Sequence, residues 1–191
     1  MADLFYYQLS SLPLLRFGEP APVTVAAFDE LCRTQLPLAA ATGLARVTLE
    51  PDGRSCCEVE RRWQAWETYV RNCLVRLRAA RLGVEPSAFL RHDDDVFPGD
   101  RRRIEEISSD PDPLVREREL DRLRWQRLDD LAVEHHFDLG ALVLYKLRLL
   151  LVTKWTGRTA AAGSQVHERL VGAAAEQAAD KRVAAGVSIA S

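Results

Sequence analysis

Residues that favour strands are scarce in this chain: only 3 of its 191 residues are isoleucine, against 27 leucines and 25 alanines. Leucine and alanine head the helix-forming scale, whereas β-branched side chains suit a pleated sheet, so the composition points to an all-α fold. Cysteine is sparse as well. Cys32, Cys56, Cys57 and Cys73 show no CxxC spacing, and the adjacent pair is poorly placed to bridge to itself, which argues against a disulfide framework. The ten glycines are scattered and form neither a GxxxxGK[ST] nor a GxGxxG pattern, so the chain carries no phosphate loop or dinucleotide fingerprint. GxSxG and HExxH are missing too. Lysine occurs 3 times against 23 arginines, yet 26 basic residues face 28 acidic ones. The net charge of −2 supplies no general field to gather nucleic acid or anionic lipid. Long apolar runs are absent: the most apolar stretch, Leu139 to Val152, falls short of the roughly 20 residues a bilayer requires and carries Lys146 and Arg148. It reads as a buried core helix. Met1 to Leu15 is interrupted by Tyr6, Tyr7, Gln8, Ser10 and Ser11 and lacks the pattern of a secretory signal, so a cytoplasmic location is expected.

What is present is helical patterning. The aromatic start Leu4 to Leu9 reads as a short strand or an extended arm, since periodicity does not separate the two. Thr24 is placed to cap a first helix carrying Val25, Phe28, Leu31 and Cys32, which Pro37 limits. Residues 38–57 read as loop with a short helix. Val59, Trp63, Trp66, Val70, Cys73, Leu77 and Ala80 then recur at alternating spacings of four and three, a heptad seam that predicts a helix from Cys57 to Leu82 closed by Gly83. The opposite face, with Arg61, Arg62, Arg71, Arg76, Arg78, Glu58, Glu60 and Glu67, is expected to be solvated. Its arginines Arg71, Arg76 and Arg78 form the candidate docking face for an acidic partner, and a nucleic-acid role for this face is disfavoured by the charge balance. A short helix is predicted over Asp100 to Ile107. Asp112 and Pro113 open the next, which is predicted to reach His135 or His136. Phe137 and Asp138 form a tight break before the Leu139 to Trp155 helix, which makes antiparallel neighbours. Ser164 is placed to cap a last, weakly amphipathic helix running to about Ala184. The sum is a single helical domain over residues 1–184, an elongated bundle of about five to six helices with a short extended N-terminal segment, followed by a flexible tail over 185–191.

Candidate chemistry is thin. Neutral imidazoles ligate transition metals, and His135, His136 and Asp138 are the candidate metal ligands, with Asp129 or Asp130 near by in sequence. Adjacent helical residues point about 100° apart, however, so the two histidines do not readily share an ion. A histidine near a helix C-terminus is also favoured by the dipole and by the free carbonyls there. Carboxylate pairing at Asp93 to Asp95 or Asp129 and Asp130 lacks the burial that would split pKa values for catalysis. The four tryptophans fit core positions. No catalytic residue and no cofactor is expected.

Residues 5–13 (Phe-Tyr-Tyr-Gln-Leu-Ser-Ser-Leu-Pro), the helix Arg71 to Leu82, and the stretches Leu120 to Trp125 and His136 to Leu139 resemble an uncharacterised bacterial family encoded among V-type ATP synthase subunits. The resemblance covers most of residues 4–164 and rests on helix-packing patterns. It implies a counterpart of the C-type component of these machines, the all-helical peripheral protein that sits on the membrane rotor ring and receives the central shaft. The implied partners are therefore the other V-type ATPase subunits, central shaft and membrane rotor, at the inner face of the cell membrane. The expectation is a non-catalytic assembly or rotor-coupling subunit, with no nucleic acid bound and no direct membrane span. A small helical metal-binding protein or metalloenzyme built on His135, His136 and Asp138 is the alternative.

Overall fold

In a computed structural model that describes residues 4–92 and 97–156, capping and packing produce seven α-helices and no strand among the described residues. The all-α reading holds. The chain divides after Thr153, in the last turn of its final described helix, and the sites described below lie within Met1–Thr153. The expected helix from Ser164, the 185–191 tail and the acidic run Asp93 to Asp95 lie outside the described residues.

The N-terminal segment is neither strand nor arm. It forms a short helix, α1 (Tyr6–Ser11), with no buried residue of its own. Phe5 before it enters the core, and its N–H donates to the Phe137 carbonyl at 2.5 Å. Tyr6 packs on Phe137 with ring centroids 4.7 Å apart, while Tyr7 stands in solvent. These contacts come from distant parts of the chain, which is why a six-residue aromatic run gave no local signal.

Helix α2 (Val25–Gln35) starts as its sequence predicts, with Thr24 Oγ1 accepting from Ala27 N at 3.1 Å, and it buries Phe28 and Cys32. Helix α3 (Leu38–Arg46) follows and buries Ala41 and Leu44. Helix α4 (Glu58–Leu82) has 25 residues, about 38 Å at 1.5 Å per residue. Gly83 closes it in the left-handed conformation at φ 65°, and Val84 N donates back to the Ala79 carbonyl.

The heptad seam holds from Val59 through Cys73 and then fails: Ala80 is exposed and Ala79 is buried. There Arg81 bonds to helix α5 (Pro98–Ser109) through the Ser108 carbonyl at 2.6 Å. The expectation of a solvated opposite face is corrected at two positions. Arg61, Arg62, Arg76 and Arg78 are exposed, but Glu60 and Glu67 are buried, because α4 is covered on more than one side. Gln64 and Glu60 face the 51–57 loop. Gln64 Oε1 accepts from Gly53 N at 3.1 Å, its Nε2 donates to the Arg54 carbonyl at 2.6 Å, and Glu60 Oε2 accepts from Cys56 N at 2.7 Å.

Helix α6 (Pro113–Ala132) opens on the predicted cap, with Asp112 Oδ1 accepting from Leu114 N at 2.8 Å. It ends before His135, so the break before α7 (Leu139–Trp155) spans Val133 to Asp138 and not two residues. Asp138 caps α7 as expected, its Oδ1 accepting from Ala141 N at 2.9 Å. Arg148 on α7 reaches back to Asp129 at 2.7 Å and to the Leu128 carbonyl of α6. Trp63 and Trp66 occupy the core and pack on each other at 5.6 Å. All four cysteines are free thiols.

Candidate functional site

Both histidines lie past the end of α6, and their side chains diverge. His135 turns inward, with Nδ1 2.6 Å from Asp138 Oδ2, whereas His136 is exposed. The structure thus brings together two of the three candidate ligands. Among the described residues no group of three or more His, Cys, Asp or Glu side chains converges to hold a metal ion. His92 is exposed and His167 lies outside the described residues. Burial raises the Asp138 pKa, but the His135 bond and the Ala141 N–H outweigh it and hold the carboxyl below its usual range.

The His135 ring is seated by a glycine. A Cβ at Gly140 would stand 2.8 Å from His135 Nδ1 and 2.9 Å from Val59 Cγ2, so any side chain there displaces the imidazole or the core. The ring borders a cleft of about 330 Å³, shared with Phe5, Cys57, Val59, Asp138 and Gly140.

Cys57 enters this cleft from the N-cap position of α4. The Cys56 thiol donates to it, and the Glu60 and Val59 N–H groups of the first helical turn add to the effect. Against the opposing effect of burial, these lower its pKa to about 7. Cys56 is pushed up in exchange, and burial takes Cys32 up to about 11. Cys57 should therefore alkylate first. Iodoacetamide labelling followed by peptide mass spectrometry is expected to show Cys57 modified with a rate midpoint near pH 7 and Cys32 inert across neutral pH. Equal rates at Cys32 and Cys57 would contradict this assignment. Because the folded pKa lies below that of a free thiol, ionised Cys57 adds stability as pH rises from about 7 toward the ordinary thiol range, above which the raised pKa of Cys56 opposes it, and the gain fades as pH falls through about 7.

The candidate docking arginines are also divided. Arg71 is drawn inward, 2.9 Å from Glu67 Oε1 and 3.5 Å from Glu50. Arg76 is exposed, and Arg78 faces a separate cleft with Arg81 and Arg116.

The residues that sequence reasoning missed are buried ions. Glu67 and Asp121 are both 0% exposed. Arg124 joins them, with Nε and Nη2 on the two Glu67 oxygens at 2.9 and 3.0 Å and Nη1 on Asp121 Oδ1 at 2.7 Å. This fork bonds α4 to α6 across 57 residues of sequence. The two carboxylates raise the Arg124 pKa against the opposing effect of desolvation, so its charge is permanent. Lys146, 2% exposed on α7, bonds Asp29 Oδ1 of α2 at 2.8 Å and the Leu44 and Ala45 carbonyls of α3 at 2.8 and 3.2 Å. The Asp121 and Arg124 spacing of three, and a lysine inside an apolar run, were the available signals.

Fold and geometry together define an all-helical domain whose interior charges join helices far apart in sequence. Residues 100–177, less than half of the chain, match the family described as "Protein of unknown function (DUF2764)". No curated protein and no solved structure matches the chain.

Proposed function

We propose that this chain is a non-catalytic assembly or rotor-coupling subunit of a bacterial V-type ATPase, of the C type that links the central shaft to the membrane rotor ring. Its starting point is the resemblance carried by residues 5–13, Arg71 to Leu82 and Leu120 to Leu139. The observation that supports it most is the pair of buried ionic links, Glu67 to Arg124 and Lys146 to Asp29. A coupling element must pass force without deforming, and charge-assisted bonds between distant helices resist sliding in a way that apolar contacts do not. No helix of the described residues is long and apolar enough to cross a membrane, which accords with a peripheral position held through partner proteins.

Affinity purification of the tagged chain from its own cells, with crosslinking, is expected to recover the shaft and rotor subunits of the ATPase. Their absence after crosslinking would refute the proposal. The metal-binding alternative draws on the His135 and Asp138 contact alone. Elemental analysis of untagged protein distinguishes it: the coupling reading expects no bound transition metal, and a stoichiometric metal lost in His135→Ala would favour the alternative.

A further inference from the structure

The last turns of α4, the end of α5 and the first turns of α6 enclose a second cleft, of about 230 Å³. Three guanidinium groups border it, Arg78 and Arg81 from α4 and Arg116 from α6, against one carboxylate, Glu117. Arg81 and Arg116 are held in place through backbone carbonyls, Arg81 Nη2 on Ser108 O at 2.6 Å and Arg116 Nη1 on Asp110 O at 2.9 Å. Carbonyl partners orient a guanidinium without neutralising it. Arg78 makes no ion pair among the described residues.

Two nearby carboxylates are tied to the backbone, while Glu117 stands on the lining itself. Asp110 Oδ1 accepts from Asp112 N and Asp112 Oδ1 from Leu114 N, both at 2.8 Å, so both are committed to the backbone that starts α6. Ser108, also on the lining, is 7% exposed, and its hydroxyl is buried with no partner among the described residues. A buried hydroxyl without a partner is unusual, because the hydrogen bonds it made to water go unreplaced. Ser108 contributes to the lining of a cleft that gathers three guanidiniums, but its hydroxyl is closed off from solvent.

We infer that the Arg78, Arg81 and Arg116 cleft is a binding site for a phosphate group. A carboxylate is saturated by one bidentate arginine, whereas a tetrahedral, doubly charged oxyanion can use three guanidiniums supplied by two helices. The volume also bears on the choice. Ligand pockets for larger molecules run from roughly 300 to 1,000 Å³, so this cleft suits inorganic phosphate, pyrophosphate or the phosphate end of a small phosphomonoester. Leu74, Leu77 and Leu120 supply an apolar wall. The inference does not depend on the ATPase reading, and neither falls with the other.

Amide NMR of the full chain, titrated with inorganic phosphate and separately with pyrophosphate against sodium chloride at matched ionic strength, tests the site. Saturable shifts centred on residues 74–81 and 108–117 are expected, with a Kd on the order of 1 mM or tighter. Arg78→Gln should weaken binding about tenfold, since it removes one unneutralised cation, while Arg76→Gln, exposed but off the lining, should leave it unchanged. Three outcomes would overturn the assignment: no saturable shift with either anion, equal weakening by Arg78→Gln and Arg76→Gln, or saturation by a glutamate-rich peptide where phosphate fails. The last would assign the cleft to a protein partner.

Discussion

Replacing Arg124 with methionine is expected to lower the stability of the fold by about 3 to 5 kcal/mol, because it removes the guanidinium that two buried carboxylates share and leaves Glu67 to its weaker, partly exposed partner Arg71. The methionine keeps an apolar stem of similar reach, so the loss reads the charge and not a cavity. For a chain of this size that corresponds to a fall in Tm of roughly 6 to 20 °C. Urea unfolding followed by circular dichroism checks it, and a loss below about 1 kcal/mol would mean that Glu67 and Asp121 reach water without Arg124. The companion experiment separates the cost of breaking the cluster from the worth of having it. When Glu67 and Asp121 are changed to leucine together with Arg124→Met, most of the stability should return, because a well-packed apolar replacement of a buried ion cluster is often neutral or stabilising. What should not return is rigidity. If the bonds serve to lock α4 against α6, the triple variant should exchange its amides faster in both helices at equal global stability.

Lys146→Met is expected to cost about 2 to 4 kcal/mol, and its effect should be local. The Leu44 carbonyl is buried and loses its donor, the Ala45 carbonyl can turn to water, and Asp29 is left partly exposed without its cation. Hydrogen exchange should therefore show reduced protection over residues 38–47, at the end of α3, with α5 and the first half of α6 unchanged. Uniform loss across the chain would contradict the assignment of Lys146 as the tie between α7 and the α2 and α3 pair. Lys146→Arg should not rescue, since a forked guanidinium does not fit a site that is 2% exposed and shaped for a single ammonium group.

Much of this architecture was legible where physics acts locally. Thr24, Asp112 and Asp138 each cap the helix that their position announced, and Gly83 ends α4 as its place after Leu82 implied. The seam from Val59 to Cys73 was likewise readable, because one continuous face packs there. What a period does not encode is a helix covered on several sides. Glu60 and Glu67 were assigned to solvent because they sit opposite the seam, and only the approach of α6, bringing Arg124, turns Glu67 into an interior charge. The same limit explains α1, whose place is set by Phe5 and Phe137 across the whole domain. In the candidate sites, adjacency in sequence misled. His135 and His136 are neighbours whose side chains diverge, one half-buried and one exposed, while Cys57, distant in sequence, lies on the same cleft as His135. Arg71 and Arg78, read as one docking face, diverge: the first is drawn into the Glu67 cluster and the second joins Arg81 and Arg116.

We propose a structural member of a rotary ATPase and not an enzyme in its own right, and the most direct test works from the ATPase side. The complex is purified from native membranes through one of its ATP-hydrolysing chains, and every copurifying chain is quantified by mass spectrometry. The expected result is this chain in fixed ratio to the central shaft, retained after crosslinking and released together with the shaft when the complex is stripped. An intact ATPase that contains all its other subunits and none of this chain would contradict the proposal.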